Sequence, residues 1–206
     1  VAGERFAVRN SGAVAVVALQ AVFLQSHQGP PEGQAARPRP VSATRPVRWP
    51  AEAIWEAISP LLPGFTVEVL PTIDSTNTEL MRRARAGQCE PTLLVAEQQT
   101  AGRGRLGRVW QSDVGASLMM SLGLPLAPQD WSGLSLAVGV SVAESLQPVM
   151  PVVGNDRPAR IGLKWPNDLL LGGAGGERKL GGILVETASF VAPQAAAAER
   201  CASARY

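Results

Sequence analysis

The sequence predicts an α+β fold, a mixed or antiparallel sheet with helices packed on one face. Two observations predict it. Apolar or alternating segments of strand length recur near 65–70, 93–96, 116–124, 161–165, 168–171 and 179–186. Two other segments, near 51–62 and 134–146, carry apolar residues at helical spacing, and a third, near 75–86, lies between a capping residue and a closing glycine. Strands in series with a few helices indicate α+β layering.

The elements follow in order. Residues 12–24, GAVAVVALQAVFL, come after Arg5 and Arg9. The run is shorter than the ~20 apolar residues that span a bilayer, so no membrane role is expected. A basic start and a short apolar stretch resemble a signal peptide, but only QSHQ follows, with no small-x-small cleavage site. A short buried helix or an upstream extension is the expectation. Residues 29–50 hold six of the chain's 17 prolines and four arginines, with almost no aliphatics. Such a segment cannot bury a core. Residues 1–50 are therefore expected as a weakly ordered leader and Pro/Arg-rich linker.

A folded domain is expected over 51–187. Ile54, Trp55, Ile58 and Leu61 share a helical face that Pro63-Gly64 stops. FTVEVL at 65–70 alternates as a half-buried strand does. Asp74 or Ser75 caps a helix that Gly87 closes. Residues 93–96 form a buried strand, 102–108 a Gly/Arg loop, 116–124 a strand and 134–146 a helix. Three short strands then meet at Pro166-Asn167 and at a glycine-rich turn over 172–176. Residues 188–206 offer only Phe190 and Val191 to a core and read as an atypical, Ala-rich tail.

Composition limits the chemistry. Net charge is +2, too small for a dedicated nucleic-acid binder, so no DNA partner is expected. Two cysteines, Cys89 and Cys201, exclude a disulfide-rich scaffold and a cysteine zinc cage. The single histidine, His27, argues against a histidine metal site or a Ser-His-Asp triad. Chemistry must then come from Lys, Arg, Asp, Glu and backbone, which suits stabilisation of anionic groups.

Four constellations carry that chemistry. In EQQTAGRGRLGRVW, at 97–110, Gly102, Gly104 and Gly107 alternate with Arg103, Arg105 and Arg108. Glycine admits close backbone approach, and arginine matches phosphate or carboxylate with a permanent charge. The loop has no Walker pattern, and its G-x-G-x-x-G spacing does not open a helix. Lys164-Trp165-Pro166-Asn167-Asp168 gathers polar groups between apolar strands and could hold a ribose, a metal ion or a phosphate. In RKLGGILVE at 178–186, Lys179 precedes two glycines that let a ligand lie against the strand. Asp74-Ser75-Thr76-Asn77 sits at a helix start, where a simple cap and a polar-ligand site both remain open.

In this order, DSTNTEL at 74–80, EQQTAGRGRLGRVW at 97–110, LKWPNDLLL at 163–171 and RKLGGILVET at 178–187 resemble the catalytic domain of biotin protein ligases. The resemblance covers about 65 to 187. It implies a class II synthetase-like catalytic domain that uses ATP and Mg²⁺ to activate biotin as biotinyl-5′-AMP. The biotinyl group then passes to a lysine of a biotin carboxyl carrier protein, in the cytoplasm. By position it places Ser75, Thr76, Asn77 and Gln99 on biotin, and Arg103, Gly104 and Arg105 over biotin and the adenylate. Arg105 would retain the adenylate, and Lys179 would stabilise the reacting carboxylate and α-phosphate. Arg108, Trp110, Asn167 and Asp168 fall on the nucleotide side, with Asp168 as the candidate metal ligand.

The sequence departs from that pattern twice. Residues 1–50 carry no helix-turn-helix pattern, so a monofunctional ligase is expected. Residues 188–206 match none of the strand and glycine-rich segment that such ligases carry next. The resemblance therefore implies an incomplete sheet with an exposed edge, through which a homodimer could form. Two alternatives stand beside the ligase: a truncated, non-catalytic remnant, and a relative of lipoate-protein ligases or octanoyltransferases.

Overall fold

A computed structural model describes residues 12–22, 47–110, 115, 117–126, 128, 130–147, 161–173 and 176–190. Val16 is the one side chain described in the first segment, and Ser189 and Phe190 are described in backbone only. The elements are β1 (Gly12–Val22), α1 (Ala51–Ile58), β2 (Thr66–Leu70), α2 (Thr76–Arg85), β3 (Thr92–Ala96), β4 (Ser117–Pro125), α3 (Leu134–Leu146), β5 (Ile161–Lys164), β6 (Asp168–Leu171) and β7 (Arg178–Phe190). The α+β class holds.

The strands form one mixed sheet in the order β2-β3-β4-β1-β7-β6-β5. Only β2 and β3 pair in parallel; every other neighbour is antiparallel. The apolar run expected as a short helix in the leader is instead β1, at the middle of the sheet. It pairs with β4 from Val14↔Pro125 to Val22↔Ser117 and with β7 from Gly12↔Phe190 to Ala21↔Gly181. A short continuous apolar run fits a buried strand as well as a buried helix. The open slot between β4 and β7 decides between them, because both flanking strands have backbone groups to satisfy. Residues 23–46 of the expected leader lie outside the described residues.

This placement corrects one further expectation. β7 does not stop at Glu186 but runs to Phe190, with Ala188 buried in the core, so the expected border at 187 falls inside a strand. β1 flanks β7 from Gly181 to Phe190, whereas β6 pairs only with Arg178 to Gly182, so no described strand pairs with the other side of β7 beyond Gly182. Residues 191–206 of the expected tail lie outside the described residues.

The helices do not all share one face. Leu94, Ser121, Val16 and Glu186 lie on one face by register, and there α2 packs, with Leu80, Met81 and Ala84 against Val16, Leu94 and Ala188. Met120, Ile183 and Val185 alternate to the opposite face, where α3 packs through Val138, Val142 and Ala143. Both faces of the central strands are apolar, so each face needs a cover. Burying each such aliphatic side chain contributes about 1.5–3 kcal/mol.

Local chemistry sets α2. Ser75 is extended and its side chain accepts a hydrogen bond from the Thr78 N–H at 3.3 Å. Gly87, at φ +82°, turns the chain after the helix, a conformation glycine adopts without strain. Arg83 on α2 forks onto Glu68 of β2 at 2.6 and 2.9 Å and also reaches Glu79 at 2.9 Å. The hydrogen bond to Glu68 is the main cause that raises the Arg83 pKa above its ordinary value, against a smaller opposing effect of burial.

Candidate functional site

The site is built where the start of α2 meets the ends of β3, β6 and β7. Ser75, Thr76, Asn77 and Gln99 are all buried. The Thr76 backbone N–H and its hydroxyl both donate to Gln99 Oε1, at 2.8 and 3.1 Å. Thr76 Oγ1 also lies 2.8 Å from Ser121 Oγ. Gln99 Oε1 is thus committed, which fixes its amide as a donor, and Gln99 Nε2 has no partner among the described residues. Asn77 donates through Nδ2 to Glu186 Oε2, which leaves Asn77 Oδ1 without a partner. Each buried unsatisfied polar atom costs about 1–3 kcal/mol. One orphan donor and one orphan acceptor in the same cluster are what a polar ligand head carrying both functions would satisfy.

The Gly/Arg loop folds back on itself as a small hairpin. Trp110 N–H donates to Gly102 O at 2.9 Å, Gly104 N–H to Arg108 O at 2.7 Å, and Arg103 bridges Val109. The tip, Arg105–Gly107, makes one 3₁₀ turn, with Leu106 at φ 56° and 91% exposed. Gly102 is required at its position. A Cβ there would stand 2.9 Å from Trp110 O and 3.1 Å from Gln99 Nε2.

Two contacts dock this hairpin on the sheet. Arg103 Nη2 lies 3.3 Å from Glu186 Oε2, and Arg105 Nη1 donates to Asn167 Oδ1 at 3.1 Å. Asn167 is itself clamped to β7, donating from Nδ2 to Ile183 O at 2.9 Å and accepting from Ile183 N–H at 2.8 Å. It sits in the turn between β5 and β6, after a cis Trp165–Pro166 peptide. Lys179 Nζ pairs with Asp168 Oδ1 at 2.8 Å and stands 5.4 Å from the centre of the Trp110 ring. Lys179 reaches along β7 past Gly182, where a Cβ would come within 3.4 Å of its Nζ.

These residues line one cavity of about 410 Å³. Arg103, Arg105, Arg108 and Lys179 surround it, and among the described residues Asp168 is the only carboxylate in its lining. Gly104, Trp110 and Asn167 complete the predicted set there. Ser75, Thr76, Asn77 and Gln99 do not line it. They form the adjoining buried cluster, joined to the loop through Glu186 and Gly102. Lys164, of the same turn motif, is also not in the lining. A broader hollow beside Glu68, Glu79 and Arg83 lies away from these residues, and its arginine is paired with both glutamates. Among the described residues no group of three or more His, Cys, Asp or Glu could hold a metal ion.

Sequence reasoning missed Glu186 and Ser121. The available signal was a charged or polar residue interrupting an apolar strand: Glu186 closes the run LGGILVE, and Ser121 divides LMM from LGL. Their partners lie 109 and 45 residues away along the chain, beyond any local spacing rule.

Residues 69–197 match the Biotin/lipoate A/B protein ligase family. The biotin–[acetyl-CoA-carboxylase] ligase of Mycobacterium tuberculosis is 42% identical over 126 residues, covering 59% of this chain and 44% of that protein. The bifunctional ligase/repressor BirA of Escherichia coli is 44% identical over 130 residues, covering 61% of this chain and 36% of that protein. A Helicobacter pylori biotin acetyl coenzyme A carboxylase synthetase, solved with bound biotinylated ATP, is 24% identical. It overlaps 67% of this chain and 70% of its own, with a TM-score of 0.44. The chain belongs to the Biotin/lipoate A/B protein ligase family, and the domain it carries is of the biotin ligase type. It spans less than half the length of the two ligases it matches by sequence.

Proposed function

We propose that the chain is an ATP-dependent biotin ligase that forms biotinyl-5′-AMP and transfers the biotinyl group to a lysine of a biotin carboxyl carrier protein. The observation that carries this reading is the junction of two chemistries. A buried polar cluster with an orphan donor, Gln99 Nε2, and an orphan acceptor, Asn77 Oδ1, adjoins a cavity ringed by Arg103, Arg105, Arg108 and Lys179. The first suits a ureido head, and the second suits a carboxylate meeting phosphates.

In the first step a biotin carboxylate oxygen attacks the α-phosphorus of ATP and pyrophosphate leaves. In the second the lysine amine attacks the acyl carbonyl, the acyl–phosphate bond breaks and AMP leaves with that electron pair. Both steps develop negative charge on oxygen, which fixed cations stabilise without an imidazole. Lys179 would act on the reacting carboxylate and α-phosphate. Arg103 and Arg105, with the Gly104 backbone between them, would close over the adenylate, and Arg108 and Trp110 would flank the nucleotide. Ser75, Thr76, Asn77 and Gln99 would hold the biotin head. A single carboxylate suffices for Mg²⁺ held chiefly by nucleotide phosphates, so Asp168 beside Asn167 fits it, and the ion would neutralise phosphate charge.

The reading is of a monofunctional enzyme acting in the cytoplasm, with no DNA or membrane partner. Its catalytic domain comprises β1 together with the region from Ala51 onward. Among the described residues no helix is long and apolar enough to cross a membrane. The test is incubation with ATP, biotin and a purified carrier domain. Carrier mass should rise by one biotinyl group, and an unchanged mass would overturn the reading in favour of a non-catalytic remnant. Excess lipoate should leave the rate unchanged; strong competition would favour the lipoate branch of the family.

A further inference from the structure

We infer that Glu186 is a positioning residue that sets the Asn77 amide and tethers Arg103, coupling the head-group cluster to the Gly/Arg loop through one carboxylate oxygen. The inference rests on the reading above and adds a residue to which that reading gives no role. Glu186 Oε2 meets two groups, Asn77 Nδ2 and Arg103 Nη2. One belongs to the buried start of α2 and the other to the loop that closes the cavity.

The chemistry of a carboxylate explains why this position takes glutamate. An ionised carboxylate only accepts hydrogen bonds. Asn77 must therefore turn its NH₂ toward Glu186, which aims the amide oxygen the other way. That oxygen, Asn77 Oδ1, is buried and has no partner, so the carboxylate fixes an acceptor for a ligand N–H. A neutral amide at 186 could donate or accept, and the Asn77 amide would lose its fixed orientation. The charge on Glu186 also holds Arg103. That contact is half-exposed, with side-chain exposures of 46% and 31%, so it is a weak tether rather than a lock. Anything that draws Arg103 away from Glu186 leaves the whole carboxylate to Asn77, and the reverse holds equally.

Register reinforces the placement. Glu186 stands opposite Val16 of β1 on the face that α2 covers, with Ala188 buried two residues further on. Pairing with β1 holds the backbone that carries the carboxylate, which fixes the side of the sheet from which it reaches Asn77 and Arg103.

The test uses Glu186→Gln, which keeps the shape, together with Arg103→Ala. Limited trypsin digestion of the ligand-free protein, scored at Arg105, reads the tether. Glu186→Gln should speed cleavage about two- to fivefold. In the Arg103→Ala background the same substitution should add nothing, because the tether is already gone. The steady-state constants read the amide. Glu186→Gln should raise KM for biotin about three- to tenfold and leave kcat within about twofold, in either background. A thermal midpoint within a few degrees of the wild type separates this from general destabilisation. Unchanged cleavage at Arg105 would overturn the tether, and an unchanged KM would overturn the amide-setting role. A wild-type protein that neither binds nor activates biotin would sink the proposed function instead, and the digestion would still decide the tether.

Discussion

Lys179 Nζ is held 2.8 Å from Asp168 Oδ1 at the mouth of the cationic cavity. The carboxylate occupies the charge that a substrate anion would otherwise seek. Both side chains are partly exposed, so the pair is screened and exchangeable rather than a buried ion pair. Lys179→Ala should abolish adenylate formation, lowering kcat about 10²–10³-fold, while leaving part of the biotin binding intact. Isotope exchange between pyrophosphate and ATP measures it, and exchange at the wild-type rate would refute the role of Lys179.

Arg105 is docked on the Asn167 amide oxygen, and Asn167 is clamped to Ile183 through its amide NH₂ and its backbone carbonyl. Arg105→Gln removes the charge and leaves a shorter polar side chain. The reactive adenylate should then escape faster than it is consumed. Free biotinyl-5′-AMP in the medium, or labelling of bystander amines, should rise at least tenfold over wild type. An unchanged level would count against a retaining role.

Gly102→Ala tests the contact between the loop and the buried cluster. The added methyl would face a backbone oxygen at 2.9 Å, which cannot swing aside as a side-chain end can. The hairpin must shift off Gln99, so biotin affinity should fall on the order of tenfold while the thermal midpoint moves little. Titration calorimetry decides, with wild-type affinity as the adverse outcome.

Val16 tests the central strand. Its side chain is 0% exposed and packs with Leu80, Met81, Leu94 and Ala188. Val16→Ala should cost about 2 kcal/mol, and Val16→Asp should prevent stable folding. Leu106→Ala, at the exposed loop tip, should stay within about 0.5 kcal/mol. Urea unfolding distinguishes them, and equal midpoints for Val16→Ala and wild type would mean that β1 is not seated.

Asp130 gives a pH dependence. Its carboxyl accepts from the Ser132 hydroxyl and then from the Ser132 backbone N–H, and both lower its pKa below the ordinary 3.8. A lowered folded value means stabilisation that is present at neutral pH and disappears as the pH falls through that value. Asp130→Asn should therefore melt slightly lower than wild type at pH 7, and the two should converge toward pH 2. A constant gap across that range would exclude the linkage.

Much of this architecture could be read locally. The α2 start at Ser75, its close at Gly87, the β5–β6 turn and the extent of α3 follow from caps, turn residues and apolar spacing. The residue types of the cavity were legible for the same reason, since Gly/Arg alternation states its chemistry in one segment. What failed was non-local. Strand pairing chose the state of 12–22 and carried β7 past Glu186. The assignment of α2 and α3 to opposite faces depends on pleat register across several strands.

The order of the strands also bears on how the molecule is made. β1 comes before every other described strand in chain order, yet it can take its place only with β4 and β7, which lie roughly 100 and 170 residues later in the chain. Until then the run GAVAVVALQAV is an unpaired, uncharged β-former, the kind of segment that associates with its like. Yield during expression should accordingly depend more on temperature and chaperone supply than the stability of the finished fold would suggest, because the strand that completes the sheet waits longest for its place.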